Sequence, residues 1–429
     1  MYRKIDNQKS QTKFTDYKMT ELGPLPQEWD VVRLGEVFSI QQGKQLSQKN
    51  RIGNNQKYFL RTANVFWGFI DTTELDSMHF TQEEEKKYKL ETGDLLVCEG
   101  GDIGRTAIWE IPINNCYYQN HLHRLRAKNN NIYPRFYLYW LWYAFEISNI
   151  YFGHGNITTI PNLSSSRLSL LNIPLPPLAE QRKIAAILST VQKAIETEKA
   201  LIERTKELKK SMMHKLFTEG IGWLSGAETS QKQTEIGPIP ENWELVRLGE
   251  VFSIYAGGDI SKINYSPIKT QKFIYPIYSN TLENKGLYGF SDTYKFPENS
   301  ITVTGRGNLG YAIPRYEKYH AIIRLLVLIP KIKLNIKYVS DFINAKIKIH
   351  FDGSSIPQLT RPKISFYLLP LPPLPEQHKI ADFLSTIDKK IEHHTTKKQK
   401  LEELFRTLLH ELMTARVRVN EVELKEVIK

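Results

Sequence analysis

Two stretches of this chain are written twice. Residues 20–40 read TELGPLPQEWDVVRLGEVFSI and residues 234–254 read TEIGPIPENWELVRLGEVFSI, agreeing at 15 of 21 positions with an offset of 234 − 20 = 214. PLPPLAEQRKIAAILST at 174–190 returns as PLPPLPEQHKIADFLST at 370–386, agreeing at 13 of 17 positions with an offset of 370 − 174 = 196. The order is A-B-A′-B′. The stretches between, 41–172 and 255–368, differ in length by 214 − 196 = 18 residues and share only scattered positions. A period this long is a domain-scale duplication, not a stacked array of short repeats. One frame carries two unlike inserts, and function is expected in their difference.

A chain of 429 residues can bury two or three cores, and 41% hydrophobic with 11% aromatic residues indicates a globular protein. Its apolar runs fall short of a membrane span, and the polar start MYRKIDNQKSQTKF lacks a secretory signal, so no membrane partner and a cytoplasmic location are expected. Cys98 and Cys116 alone make neither a disulfide framework nor a zinc site, and are read as plain thiols. The net charge of +12 suits a polyanion such as nucleic acid, although a basic surface kept soluble by charge has the same composition. The charge is unevenly placed. Residues 255–367 hold 16 Lys+Arg against 7 Asp+Glu, whereas residues 41–171 hold 14 against 12.

After each PLPPL the pattern becomes helical. Ile184, Leu188, Val191, Ile195, Ile202, Met212 and Leu216 in one copy, and Ile380, Leu384, Ile387, Ile391, Leu401, Phe405, Leu408 and Leu412 in the other, recur at spacings of three and four with no internal proline or glycine. Ala179 is replaced by Pro375 in the second copy, which places this site in a first helical turn, with Glu180 and Glu376 beside the positive helix end. The first helix is expected over 179–217, about 58 Å at 1.5 Å per residue, ending near Gly220 and Gly222. Glu198, Thr205 and Lys209 interrupt one stripe; His394 and Lys398 interrupt the other. Two copies of one amphipathic helix most simply pack on each other, antiparallel if a two-fold axis relates them, the alternative being that each packs on its own domain.

The frame, G-P-x-P-x-x-W with V-R-L-G-E-V, a variable stretch, then PLPPL-x-EQ-x-KIA and a long helix, resembles the specificity subunit of type I restriction-modification enzymes. HKLFTEGIG at 214–222 and RVRV at 416–419 extend the likeness over nearly the whole chain. The resemblance implies an α+β fold: two strand-rich mixed α/β target-recognition domains joined by two long helices that form an antiparallel coiled-coil-like pair with internal pseudo-two-fold symmetry. It implies a polar extension at 1–19, a first recognition domain at 20–173, a spacer helix at 174–222, a linker at 223–233, a second recognition domain at 234–369 and a second helix with tail at 370–429. It further implies that each recognition domain reads half of a bipartite, asymmetric site on double-stranded DNA, with an unread spacer set by the helices. Two identical DNA methyltransferase subunits would dock on the repeated frame, and ATP-dependent restriction subunits would supply cleavage.

Loops carrying hydroxyls, amides and arginines suit base edges and phosphates. The inserts correspond at Gly101-Asp102-Ile103-Gly104-Arg105 with Gly307-Asn308-Leu309-Gly310-Tyr311, and at Thr158-Thr159-Ile160-Pro161-Asn162-Leu163 with Ser354-Ser355-Ile356-Pro357-Gln358-Leu359. Arginine can fork onto guanine and Asn or Gln onto adenine, so Arg61, Asn64, Arg105, Asn120, Arg306, Asn308 and Gln358 are base-reading candidates. His121 and Tyr311 join them from the loops that resemble family elements. Thr158, Thr159, Ser354 and Ser355 suit phosphates or a helix cap. Each could equally be a solvated side chain or turn former.

Other patterns lead away from chemistry. Gly305–Gly310 fits G-x-G-x-x-G, but no βαβ unit follows, and Glu99–Gly104 in the first insert breaks the pattern. His121 and His123 would share one strand face without a third ligand, so no metal is assigned; His393 and His394 read as solvated. No ATP-binding loop and no Asn-Pro-Pro-Tyr-like methyltransferase motif is present. No cofactor and no catalysis are therefore expected of this chain. The rival readings are a solitary DNA-modifying enzyme with a cryptic site, and a coiled-coil interaction protein with non-specific DNA binding.

Overall fold

The computed structural model describes residues 17–151, 163–226, 230–347 and 358–419. The chain forms two compact units, residues 1–197 with 397–429 and residues 198–396. The long helices span Leu178–Leu216 and Leu374–Met413, so the first begins and ends one residue earlier than the periodicity predicts. Ala179 and Pro375 do lie in first turns, and Gly220 past the first helix has φ +71, the left-handed conformation expected of a C-terminal glycine.

Each unit holds the beginning of one helix and the end of the other, and there the two run antiparallel. In the first unit Leu188 shares a core with Phe405, Leu409 and Leu412; in the second, Leu216 and Phe217 share one with Ile380 and Leu384. The residues that interrupt the apolar stripes are accounted for by polar partners. His394 Nδ1 lies 2.7 Å from Glu198 Oε2 with both side chains mostly buried, which corrects the reading of His394 as solvated. Lys209 Nζ donates to Asp388 at 2.6 Å, Thr205 bonds the Leu201 carbonyl and Lys398 pairs with Glu402. Paired groups can sit in such a seam because their partners offset much of the cost of burial.

The frame motifs fold identically in both units. Thr20 and Thr234 Oγ1 donate to the carbonyls of Gly23 and Gly237, closing hairpins on glycines with φ +100 and +101. Asp30–Arg33 pairs with Asn172–Leu175, and Glu244–Arg247 with Leu368–Leu371, so the A repeat is stitched to the start of the B repeat. The repeated E-Q explains itself. Glu180 accepts from Trp29 Nε1 at 2.8 Å and Glu376 from Trp243 Nε1 at 3.0 Å. The side-chain oxygens of Gln181 and Gln377 accept from the backbone N–H of Tyr133 and Asn335, each at 2.8 Å, where a recognition-domain helix begins. The second oxygen of each glutamate takes a donor from the far end of the other helix: Arg418 Nε at 3.0 Å for Glu180, and the Ile221 N–H at 3.0 Å for Glu376.

Each recognition domain is built on one four-stranded antiparallel sheet. The order is Thr106–Ile108, Leu95–Cys98, Leu122–Ala127, Phe38–Gln42 in the first and Ala312–Arg315, Ser300–Thr304, Leu325–Pro330, Phe252–Ala256 in the second. Leu95–Cys98 is buried along its length because its two faces serve different cores. Leu95 and Val97 point into the cluster shared with the spacer helices, Leu96 and Cys98 into a second cluster with Trp109 and Tyr118, as the two-residue strand period requires. A second, mixed sheet follows in each domain, three-stranded in the first and four-stranded in the second, with Gln56–Leu60 parallel to Tyr117–Tyr118 and Tyr275–Tyr278 parallel to His320–Ala321.

The two domains meet their helices by different chemistry. Tyr133 corresponds to Asn335, an offset of 335 − 133 = 202, so Tyr139 matches Asp341 and Trp142 matches Asn344. On the spacer helices Phe405 matches Lys209 and Gln192 matches Asp388 at the offset of 196. In the first unit Trp142 stacks on Trp67, Phe405 lies 5.0 Å from Trp142, and Tyr139 donates to Gln192 at 2.8 Å. In the second, Lys337 Nζ joins Asp341 at 2.5 Å and Asp388 at 2.9 Å, and Asp388 also holds Lys209. Burial alone would raise the Asp388 carboxyl, but bonds from Lys209 and Lys337 hold it below its ordinary value, whereas burial pushes the Asp341 carboxyl up. An open cleft of about 1650 Å³ is lined by these groups. One joint is aromatic and the other ionic.

Candidate nucleic-acid interface

Three chain segments converge at one end of each four-stranded sheet. The first is the glycine loop after the central strand. Gly101 and Gly104 have φ +78 and +81, and Gly307 and Gly310 have φ +66 and +78, so the sequence correspondence extends to left-handed backbone at matching positions. Gly104 N–H bonds the Cys98 carbonyl at 3.0 Å, and Gly310 N–H that of Thr304 at 2.8 Å. The loop Gly305–Gly310 joins antiparallel strands and leads into no helix, which removes the dinucleotide-binding reading.

The second segment is the turn 119–122 in one domain and 322–325 in the other. Asn120 N–H bonds the Lys44 carbonyl and Ile323 N–H the Gly258 carbonyl, both at 2.9 Å. A Cβ on Gly43 would lie 2.3 Å from the Gln119 carbonyl, and one on Gly257 2.3 Å from that of Ile322, so only glycine lets the frame strand press this closely on the turn. The third segment resumes at Leu163 and Leu359, whose N–H groups bond the carbonyls of Glu99 at 2.8 Å and Gly305 at 3.0 Å. The loop tips stand clear: a Cβ on Gly100, Gly101 or Gly307 meets nothing within 4 Å.

The candidates divide sharply. His121 is 60% exposed in its side chain and 3.9 Å from Glu99, while Asn308 and Tyr311 are exposed on the second glycine loop. Asn120 is half-buried beside His121, and Gln42 donates to both its carbonyl and Glu99. Gln358 accepts from Arg324 Nη1 at 2.8 Å. Arg306 is held at its backbone by Asn280, whose side chain bonds Gly305 N–H at 2.7 Å and the Arg306 carbonyl at 2.6 Å.

Others are committed elsewhere. Asn64 is a correction: it is buried, its oxygen accepts from Arg61 N–H, and its amide donates to Asp71 and Glu74, so it organises a turn and presents nothing to a ligand. Arg105 pairs with Asp102 at 2.5 Å and donates to the Thr62 carbonyl at 2.7 Å, bracing its own glycine loop. Arg61 pairs with Asp76 at 3.1 Å. Thr158, Thr159, Ser354 and Ser355 lie outside the described residues.

His121 lies in a turn before the strand Leu122–Ala127, which corrects the expectation that it and His123 share one strand face. His123 is fully buried, with Nε2 2.7 Å from the Leu163 carbonyl, and since that carbonyl only accepts, Nε2 carries the proton. Burial keeps its ring below the ordinary value of 6.5. Burial likewise pushes the Cys98 thiol up to about 11 and that of Cys116 to about 12. Among the described residues no group of three His, Cys, Asp or Glu is placed to hold a metal, and no helix is long and apolar enough to cross a membrane.

Sequence reading missed Arg324 and Gln42. Arg324 stands in AIIRLLV, an apolar run with no loop signal; only the backbone bonds that align it with His121 bring it to the junction.

The family described as "Type I restriction modification DNA specificity domain" matches residues 26–207 and 240–403. The MjaX type I restriction enzyme specificity subunit of Methanocaldococcus jannaschii is 31% identical, covering 94% of this chain and 97% of its own. The MjaVIII specificity subunit of the same organism is 26% identical over 93% and 95%. The crystal structure of a type I restriction-modification S subunit from M. genitalium shares the fold at TM-score 0.59 and 19% identity, covering 90% of this chain and 96% of that one. Two matched frames, two differing recognition domains and these likenesses together place the chain among the specificity subunits of type I restriction-modification systems.

Proposed function

We propose that the chain reads a bipartite, asymmetric sequence on double-stranded DNA in the cytoplasm, one half-site per recognition domain, and docks two DNA methyltransferase subunits on the repeated frame and helices. It carries no catalysis of its own. Methylation belongs to those partners, and cleavage, where it occurs, to ATP-dependent restriction subunits. One observation carries the reading. The stitches among Trp29, Glu180 and Gln181 recur within 0.2 Å among Trp243, Glu376 and Gln377, while among the described residues the loop junctions differ at Asp102 and Asn308, Arg105 and Tyr311, and His121 and Arg324. Equal frames suit equal partners, and unequal loops suit unequal half-sites. A structural relative, solved to explain complex assembly and conformational transition of the type I restriction-modification system, accords with a docking role.

The test is a methylation map of DNA modified by this chain with its methyltransferase subunits. A split motif is expected, and replacing residues 41–171 with another recognition domain should change one half only. Change in both halves, or methyl transfer by this chain without partners, would overturn the reading.

A further inference from the structure

The two loop junctions share a backbone and differ in charge. Glu99 corresponds to Gly305, since each carbonyl accepts from the leucine of the third segment, Leu163 or Leu359. His121 corresponds to Arg324, since each follows the residue whose N–H reaches the frame strand. The first domain thus offers the Glu99 carboxylate with His121 beside it. The second offers Arg306 and Arg324, neither of which has a carboxylate partner among the described residues.

Arg324 is held on both sides. A Cβ on Gly305 would stand 2.3 Å from the Arg324 carbonyl, so glycine is what admits this turn, and Nη1 donates to Gln358 Oε1 at 2.8 Å. A guanidinium oriented by a neutral amide keeps its full charge and the rest of its donor fork. In the major groove that fork matches N7 and O6 of guanine. A phosphate would also accept it, but a phosphate contact serves any sequence, and this position is one at which two junctions of matching backbone carry different side chains.

We propose that Arg324 is a specificity-determining residue of the second recognition domain, reading a guanine, with Gln358 as its positioning residue; this rests on the DNA-reading function proposed above. The first domain, with histidine at that position and a carboxylate alongside, has no such fork and reads a different base there.

The experiment maps methylation by the full chain assembled with its methyltransferase subunits in a host without other modification. Arg324→Ala should weaken the preference for guanine at one position of the second half-site by about tenfold to a hundredfold, leaving the first half-site unchanged. Gln358→Ala should weaken the same position less. Arg324→Lys, which keeps the charge without the fork, should also lose discrimination, and it serves if Arg324→Ala fails to assemble. An unchanged motif in these variants overturns the assignment, as does an equal loss at every site with the motif kept, which would mark a phosphate contact. A wild-type complex with no split motif is a separate failure, that of DNA half-site reading itself.

Discussion

The indole N–H of Trp29 meets a carboxylate oxygen of Glu180 at 2.8 Å across 151 residues of sequence, inside a core where Trp29 is wholly buried and Glu180 nearly so. The bond ties the A repeat to the B repeat, and Arg418 from the end of the second long helix closes on the same carboxylate. Trp29→Phe keeps most of the ring but removes the donor. A buried charged acceptor left short of a partner costs about 1–3 kcal/mol, so the variant should melt several degrees lower. A melting temperature equal to wild type would mean the stitch adds nothing to stability.

The unequal joints predict unequal responses to salt. Asp388→Ala removes the centre of the ion network formed by Lys209, Lys337 and Asp341, and for partly exposed pairs the cost should be about 1 kcal/mol at low salt, shrinking as salt rises. Phe405→Ala empties the aromatic joint of the first unit, at about 3–5 kcal/mol whatever the salt. Hydrogen exchange read separately in the two units distinguishes these effects. Equal salt dependence of both variants would refute the contrast.

His123 should make the first recognition domain sensitive to acid. Its folded value is depressed by burial below 6.5, so the unfolded chain takes up the proton first. Stability is therefore level above that pH and falls as pH drops from about 6.5 through the lower folded value. His123→Gln should flatten the decline in melting temperature between pH 7 and pH 5; an identical decline in both proteins would locate the acid sensitivity elsewhere.

Leu188 and Leu384 are fully buried, each in its own unit. A carboxylate at either site has no partner, so Leu188→Asp should cost on the order of 4 kcal/mol or more and disorder the first unit, and Leu384→Asp the second. Proteolysis patterns would report which recognition domain survives. Loss of both domains from either substitution would argue against two compact units.

The frame was legible because it is written twice: duplicated spacing fixes the helices, and Pro375 opposite Ala179 fixes a first turn. The pairing of tryptophan with glutamate was within reach, since both recur in step. The contact surface was not. Asn64 and Asn120 look alike in sequence, yet one spends its amide on backbone carbonyls of its own turn while the other stands half-open at the junction. Arg105 is held by Asp102 and the Thr62 carbonyl, Arg324 by the amide oxygen of Gln358. Which polar side chain is free depends on partners brought together by the fold, and local pattern carries no record of them.

The first compact unit is completed by the chain from residue 397 onward, the second by residues 198–396 alone. During synthesis the chain of the second unit is therefore complete before that of the first, although it is made later. The leading half leaves the ribosome with the core around Leu188 short of Phe405, Leu409 and Leu412, and waits for the last turns of the chain. Premature termination near residue 396 would strand the older domain and spare the younger, an inversion of the order in which truncated proteins ordinarily lose structure.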